Sequence, residues 1–177
     1  MVTPEQETAS VMRYVLEAAG NPAPYYHNVP ERFQIPSVFF PTPEVTTGPD
    51  TLLSYYVDFL WHIKFFARTA EEAYEKGMRT LTAIQAGRRL VPLIDPEGNV
   101  TGERLRLYDP ALKAIDAPAG LGTAQLSVSW RSRRPYDRAA VMMMARFHLY
   151  LHGKPGKSAP EAGTESGAAM SGYYLEE

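Results

Sequence analysis

The chain has 177 residues, 45% hydrophobic and 21% charged, enough for one domain with a real core and short for two, and neither wholesale disorder nor a membrane protein is indicated. A formal net charge of −2 argues against a dedicated nucleic-acid binder and leaves only local electrostatics. The absence of cysteine excludes disulfide staples, thiolate nucleophiles and cysteine-ligated zinc.

No basic and apolar leader opens MVTPEQETAS, and no run approaches eighteen uninterrupted apolar residues, so the protein is expected to be made and kept in the cytoplasm. The first element is a helix over Pro4–Ala19. Thr3 caps it, Pro4 suits the first helical position and Gln6 completes a capping box. Val11, Tyr14, Val15 and Ala18 share a face, and Gly20, Asn21 and Pro22 stop the helix. Two short extended runs, Tyr25–Val29 and Ile35–Phe40, follow and read as a hairpin joined by PERFQ. Pro41–Asp50, with three prolines, one glycine and three threonines, reads as a long loop.

From Leu52 to Ala67 the chain alternates strictly. Tyr55, Val57, Phe59, Trp61, Ile63 and Phe65 form an apolar face, with Tyr56, Asp58, Leu60, His62, Lys64 and Phe66 opposite. This strand exceeds the usual length, so part of it is expected to project beyond its sheet. A second helix begins at a Thr69/Glu72 capping box and ends at Gly87. Its stripe of Ala70, Ala73, Gly77, Leu81 and Ile84 is expected to pack on the apolar face of the long strand.

A second hairpin joins LVPLI to RLRLY through DPEGN, and ALKAIDAPAGLG is ambiguous. Thr123–Trp130 alternates again, with Ala124, Leu126, Val128 and Trp130 on one side and Gln125, Ser127 and Ser129 on the other. The segment RSRRPYDR reads as a basic turn. VMMMARFHLYLH fits period two better than a helical stripe, and the last 25 residues form a small, polar tail. The expected fold class is α+β: a mixed or antiparallel β-sheet packed against two helices, with long loops and a flexible C-terminal tail. One domain spans 1–152, and the tail 153–177.

Candidate chemistry is thin. GKPGKS has two residues between its glycines where a phosphate loop needs four, and no helix follows. His148 and His152 have a metal-like spacing but no third ligand, and His62 reads as a hydrogen-bonded structural histidine. No nucleophile elbow surrounds a serine, while Asp95, Glu97 and Asp109 sit in or beside turns where acids cap backbone N–H groups. No enzyme activity, cofactor or metal is expected. Arg131, Arg133 and Arg134, with Arg88 and Arg89, form a basic cluster facing DNA, an acidic partner or simply solvent.

The order of helix, short strand pair, long aromatic strand, capped helix and closing strands resembles the tail terminator, or tail completion, proteins of tailed phages. NVPERFQIPSVFF, YYVDFLWHIKFFARTAEEAYEKGMRTLTAI and TAQLSVSWRSRR carry the resemblance, which covers residues 1–138. It implies a structural subunit in the tail and neck region of the virion, made in the host cytoplasm. There it forms a hexameric ring on the last ring of tail tube protein and meets the head-tail connector or stopper protein, with a sheath protein as a further partner in a contractile tail. The chain departs from the compact pattern at Pro92–Pro118 and after Asp137, which leaves other neck, head-completion or sheath-capping components open.

For a ring, the contact elements expected are the Pro41–Asp50 loop with Pro43 and Thr47, the hairpin turn with Asp95, Glu97 and Asn99, and the basic turn with Arg131, Arg133 and Arg134. An alternative of a different class is a small ligand- or nucleic-acid-binding module that uses Tyr55, Val57, Phe59 and Trp61 as a stacking platform. That site is lost if the face is covered.

Overall fold

The computed structural model describes residues 2–26, 28–115 and 121–137. Helix α1 (Pro4–Ala19) starts as its sequence dictates: Thr3 Oγ1 accepts from Gln6 N at 3.3 Å, while the Gln6 side chain accepts from Thr3 N at 2.8 Å. Gly20, at φ 86°, closes it in the left-handed conformation that glycine adopts without strain. Its buried face carries Val11, Val15 and Ala19, but also Glu7 and Ser10. Helix α2 (Ala70–Ala86) is capped by Thr69 Oγ1, which accepts from Glu72 N at 3.1 Å. The expected capping box is half formed, because the Glu72 carboxylate accepts from Arg68 N instead. The Tyr14 hydroxyl donates to Ala83 O at 2.9 Å and ties the two helices together.

Seven strands follow in the order β1 (Ala23–Tyr26), β2 (Ser37–Phe40), β3 (Glu44–Thr51), β4 (Ser54–Ala67), β5 (Leu90–Ile94), β6 (Val100–Ile115) and β7 (Gly122–Pro135). In space the order is β1-β2-β4-β7-β6-β5, with β3 paired to β4 beside that path. The backbone of the sheet is the β4–β7 ladder, antiparallel from Ser54↔Pro135 to Ala67↔Gly122. One pair, β1–β2, is parallel, so the fold is α+β with a mixed sheet.

Three local expectations are corrected, and one ambiguous stretch is assigned. The Tyr25–Phe40 stretch is not a hairpin. The linker packs Phe33 against Phe66 and edge-on to Tyr25, whose hydroxyl accepts from Gln34 N, so the chain returns to its starting end and the two strands run the same way. Pro41–Asp50 is not a loop: Glu44–Thr51 is strand β3, registered on β4 from Glu44↔Leu60. The overlong β4 offers an open edge there, and β-branched Val45, Thr46 and Thr47 fit it although no alternation marks them. The basic turn is the end of β7, which stays paired to β4 as far as Pro135. The ambiguous ALKAI belongs to β6, whose register shifts between Tyr108 and Ala111 to admit Pro110.

The core lies on one sheet face. Phe59, Trp61, Ile63 and Phe65 of β4 meet Ala124, Leu126, Val128 and Trp130 of β7, with Val38, Phe40, Val91 and Leu107 beside them and Val11, Val15 and Ile84 above. Each large side chain withdrawn from water contributes about 1.5–3 kcal/mol. Helix α2 lies over β7 and β6 as well as β4. Ala73 packs with Ala67, Ala124 and Leu112, and Gly77 has no room for a β-carbon because Leu112 fills the space.

The chain divides into two compact units, residues 1–141 and 142–177. The second lies outside the described residues, as do the expected strand over VMMMARFHLYLH, the His148/His152 pair, GKPGKS and the tail over 153–177. Among the described residues no helix is long and apolar enough to cross a membrane.

Candidate functional site

The overlong β4 does not project beyond its sheet as expected, because β7 pairs it from Ser54 to Ala67; its first half instead carries an arm. That half, Ser54–Leu60, is flanked by β3 on one side and by the Arg131–Pro135 end of β7 on the other. Seven of the eight residues of β3 are exposed, so neither of its faces is covered by the core. The turn between β3 and β4 carries Leu52, 93% exposed, and Leu53, 59% exposed; Tyr136 N donates to Leu53 O and fastens the end of β7 to this turn. Tyr55 and Tyr136 pack together at 5.3 Å between ring centroids.

On the outer face of the arm the Tyr56 ring lies over Gly48, whose missing side chain makes the space. The Arg131 guanidinium sits 4.1 Å above that ring. The same guanidinium grips Asp58 through two bonds, Nε to Oδ1 at 2.7 Å and Nη2 to Oδ2 at 2.8 Å. This bidentate bond holds the Asp58 carboxyl below the usual aspartate range and raises Arg131 above its ordinary value. Arg133 pairs with Asp50 at 2.6 Å. Where the arm meets the sheet, an open groove of about 540 Å³ is lined by Glu44, Thr46, Asp58, Leu60, Tyr108 and Arg131.

The eight residues expected at a partner interface fall into three places. Thr47, Arg131 and Arg133 share the arm, and Pro43 lies just before β3. Asp95, Glu97 and Asn99 form the β5–β6 turn, apart from it. There the Asp95 carboxylate accepts from Asn99 N at 2.7 Å, a backbone bond that lowers the Asp95 carboxyl below its ordinary value. Arg134 is not on the surface. It is buried, and its Nη2 donates to Glu7 Oε1 at 2.8 Å while Nη1 donates to the Val2 carbonyl. Glu7 also accepts from Ser132 Oγ at 2.7 Å and from Trp130 Nε1 at 3.2 Å. Parity could have found this: continuing the alternation of β7 past Trp130 puts Ser132 and Arg134 inward and Arg131 and Arg133 outward. Leu52, Leu53, Tyr56 and Asp58 were missed as a site because their significance comes from the unforeseen β3.

His62 is hydrogen-bonded, with Nδ1 2.9 Å from Ser127 Oγ and 3.2 Å from Gln125 Nε2. The stacking platform of the alternative reading is closed, since Phe59 and Trp61 are buried in the core. Among the described residues no three His, Asp or Glu side chains converge as metal ligands would.

Two proteins of Bacillus subtilis (strain 168) align with the chain. The phage-like element PBSX protein XkdJ is 27% identical over 132 residues, covering 75% of this chain and 87% of its own. This chain is similar to a protein of a phage-like element. YqbJ is 27% identical over 133 residues, covering 75% of this chain and 88% of its own. No family model matches. A chain from the virion of a native gene transfer agent particle superposes with a TM-score of 0.44 and 15% identity, covering 72% of this chain and 94% of its own.

Proposed function

We propose that the chain is a structural subunit of a phage or phage-derived particle, and that it caps the head-proximal end of the tail tube as a homo-oligomeric ring, of six copies, joined to the head connector. The similarity to the PBSX protein over most of both chains is the observation that carries the reading of a particle component. The arm supports the finer placement. A ring requires a head-to-tail contact that closes on itself, and the arm supplies a strand, β3, whose outer edge is unpaired among the described residues, and an apolar tip, Leu52 and Leu53.

In this reading the domain spans 1–152 with 153–177 as its tail. The partners are further copies of the chain, the tail tube protein, the head-tail connector or stopper and, in a contractile tail, the sheath protein. The contacts come from Pro43, Thr47, Arg131 and Arg133 on or near the arm and from Asp95, Glu97 and Asn99 at the other turn. The test is negative-stain imaging of particles assembled without this chain. Overlong or unconnected tails are expected. Normal tails correctly joined to heads would overturn the placement.

A further inference from the structure

The fold splits the arginines that lie together in sequence. Arg131, Arg133 and Arg134 each meet a carboxylate, Asp58, Asp50 and Glu7 respectively, so their charge is matched within the subunit. Four other arginines gather without such partners. Helix α2 passes into β5 through Gly87, Arg88 and Arg89, and the two arginines have φ of 57° and 60°, a left-handed conformation that glycine adopts readily and other residues rarely. Bonds from Arg88 N to Gln85 O at 2.9 Å and from Arg89 N to Ile84 O at 2.7 Å hold them there.

Arg89 O also accepts from Leu107 N at 2.8 Å, which draws β6 alongside. In that ladder Arg106 lies opposite Leu90 and Arg104 opposite Pro92. Both arginines are exposed on one face, because Leu105 and Leu107 take the alternate, buried positions. Among the described residues, the side-chain bond made by the four is Arg89 Nε donating to Gln85 Oε1 at 3.1 Å. Among the described residues none of them forms an ion pair, although Glu103 and Asp109 lie in the same strand.

We infer that this corner, Arg88, Arg89, Arg104 and Arg106, binds the phosphate backbone of duplex nucleic acid. Guanidinium groups are the side chains best matched to phosphate oxygens, and here all four cations are arginine. Arg104 and Arg106 stand about 6.6 Å apart along the strand, so they form a row suited to a line of phosphates more than to one carboxylate. An acidic protein partner would need a desolvated apolar anchor. This face carries Tyr108, 44% exposed and two residues beyond Arg106, beside the half-buried Leu90 and Pro92, so an acidic protein partner is separated from a duplex by the polyglutamate arm of the test.

This inference does not depend on the ring or on its place in a particle, and it is tested on the free, full-length chain. A labelled, mixed-sequence DNA duplex is titrated at several salt concentrations and followed by anisotropy. With four phosphate contacts the log–log salt slope is expected near −3.6, from about −0.9 per phosphate. Arg104→Ala/Arg106→Ala is expected to weaken binding at low salt about tenfold or more and to halve that slope. Arg32→Ala/Arg68→Ala removes the same net charge from exposed arginines before the start of α2 and is expected to leave binding near wild type. Unchanged thermal unfolding of the Arg104/Arg106 variant keeps the comparison free of misfolding. The inference is overturned if the wild-type chain fails to bind at low salt, if both double variants lose binding equally, or if a polyglutamate peptide binds as tightly as the duplex. None of these results bears on the imaging of particles, so the two readings fail separately.

Discussion

At Glu7 a carboxylate only 4% exposed holds three donors, from Trp130, Ser132 and Arg134, and so pins the first turn of α1 to the base of the arm. Removing it strands the Arg134 guanidinium, itself 11% exposed, away from water. Glu7→Ala is therefore expected to cost about 3–5 kcal/mol in chemical denaturation. Glu7→Leu/Arg134→Leu should recover much of that loss, because a buried ion pair is often replaceable by apolar packing even where half of it is not. Asp58 makes a different prediction because it lies at the surface. Its folded carboxyl is held below its ordinary value by the Arg131 bond, so the contribution is complete above the unfolded value of about 3.9 and disappears as pH falls through the depressed one. Asp58→Asn should thus change the stability–pH curve below about pH 4 and leave its shape between pH 6 and 8 unaltered. The effect is small, as for other solvent-exposed pairs.

Both helices were legible end to end because their signals are local: Thr3, Pro4 and Gln6 before α1, Gly20 after it, and Thr69 before α2. The apolar face of β4 was legible because Phe59, Trp61, Ile63 and Phe65 recur at the period of a strand buried on one side. Strand β3 was not, since a strand exposed on both faces has no alternation to read and Pro49 argues against it until its place on an edge is known. The direction of β1 against β2 was hidden too, as four-residue runs record no polarity. Gly122 is a sharper case: it sits in a stretch too ambiguous to assign, yet a β-carbon there would fall on the Thr69 carbonyl, where the start of β7 passes the cap of α2. Backbone cannot step aside as a side chain can, so Gly122→Ala is expected to destabilise by about 3 kcal/mol or more, read as a lowered denaturation midpoint. Within α2, Ile84 is fully buried and Leu81 only partly. Ile84→Ala should accordingly cost more than Leu81→Ala, within the usual range of about 2–5 kcal/mol.

As a whole, the described residues form a core with two helices on one side and an arm whose outer strand, β3, and tip are exposed. If the arm serves assembly, its tip should matter to the particle and not to the subunit. Leu52→Asp/Leu53→Asp is expected to leave unfolding free energy within about 0.5 kcal/mol of wild type while excluding the chain from purified particles. Normal incorporation would remove the tip from the contact. The β4–β7 ladder has a further consequence, in the order of events during synthesis. Its paired residues are separated by roughly 55–80 positions along the chain, and closing so long a loop must precede the gains of pairing. When β4 leaves the ribosome, its row of Phe59, Trp61, Ile63 and Phe65 has no β7 to meet. The short β3–β4 turn is near enough to form at once, and the capped helix α2 as soon as it follows. The arm can form in this order before the β4–β7 ladder closes, so refolding rates should respond to changes in β3, already paired at the barrier, at least as strongly as to changes in β7.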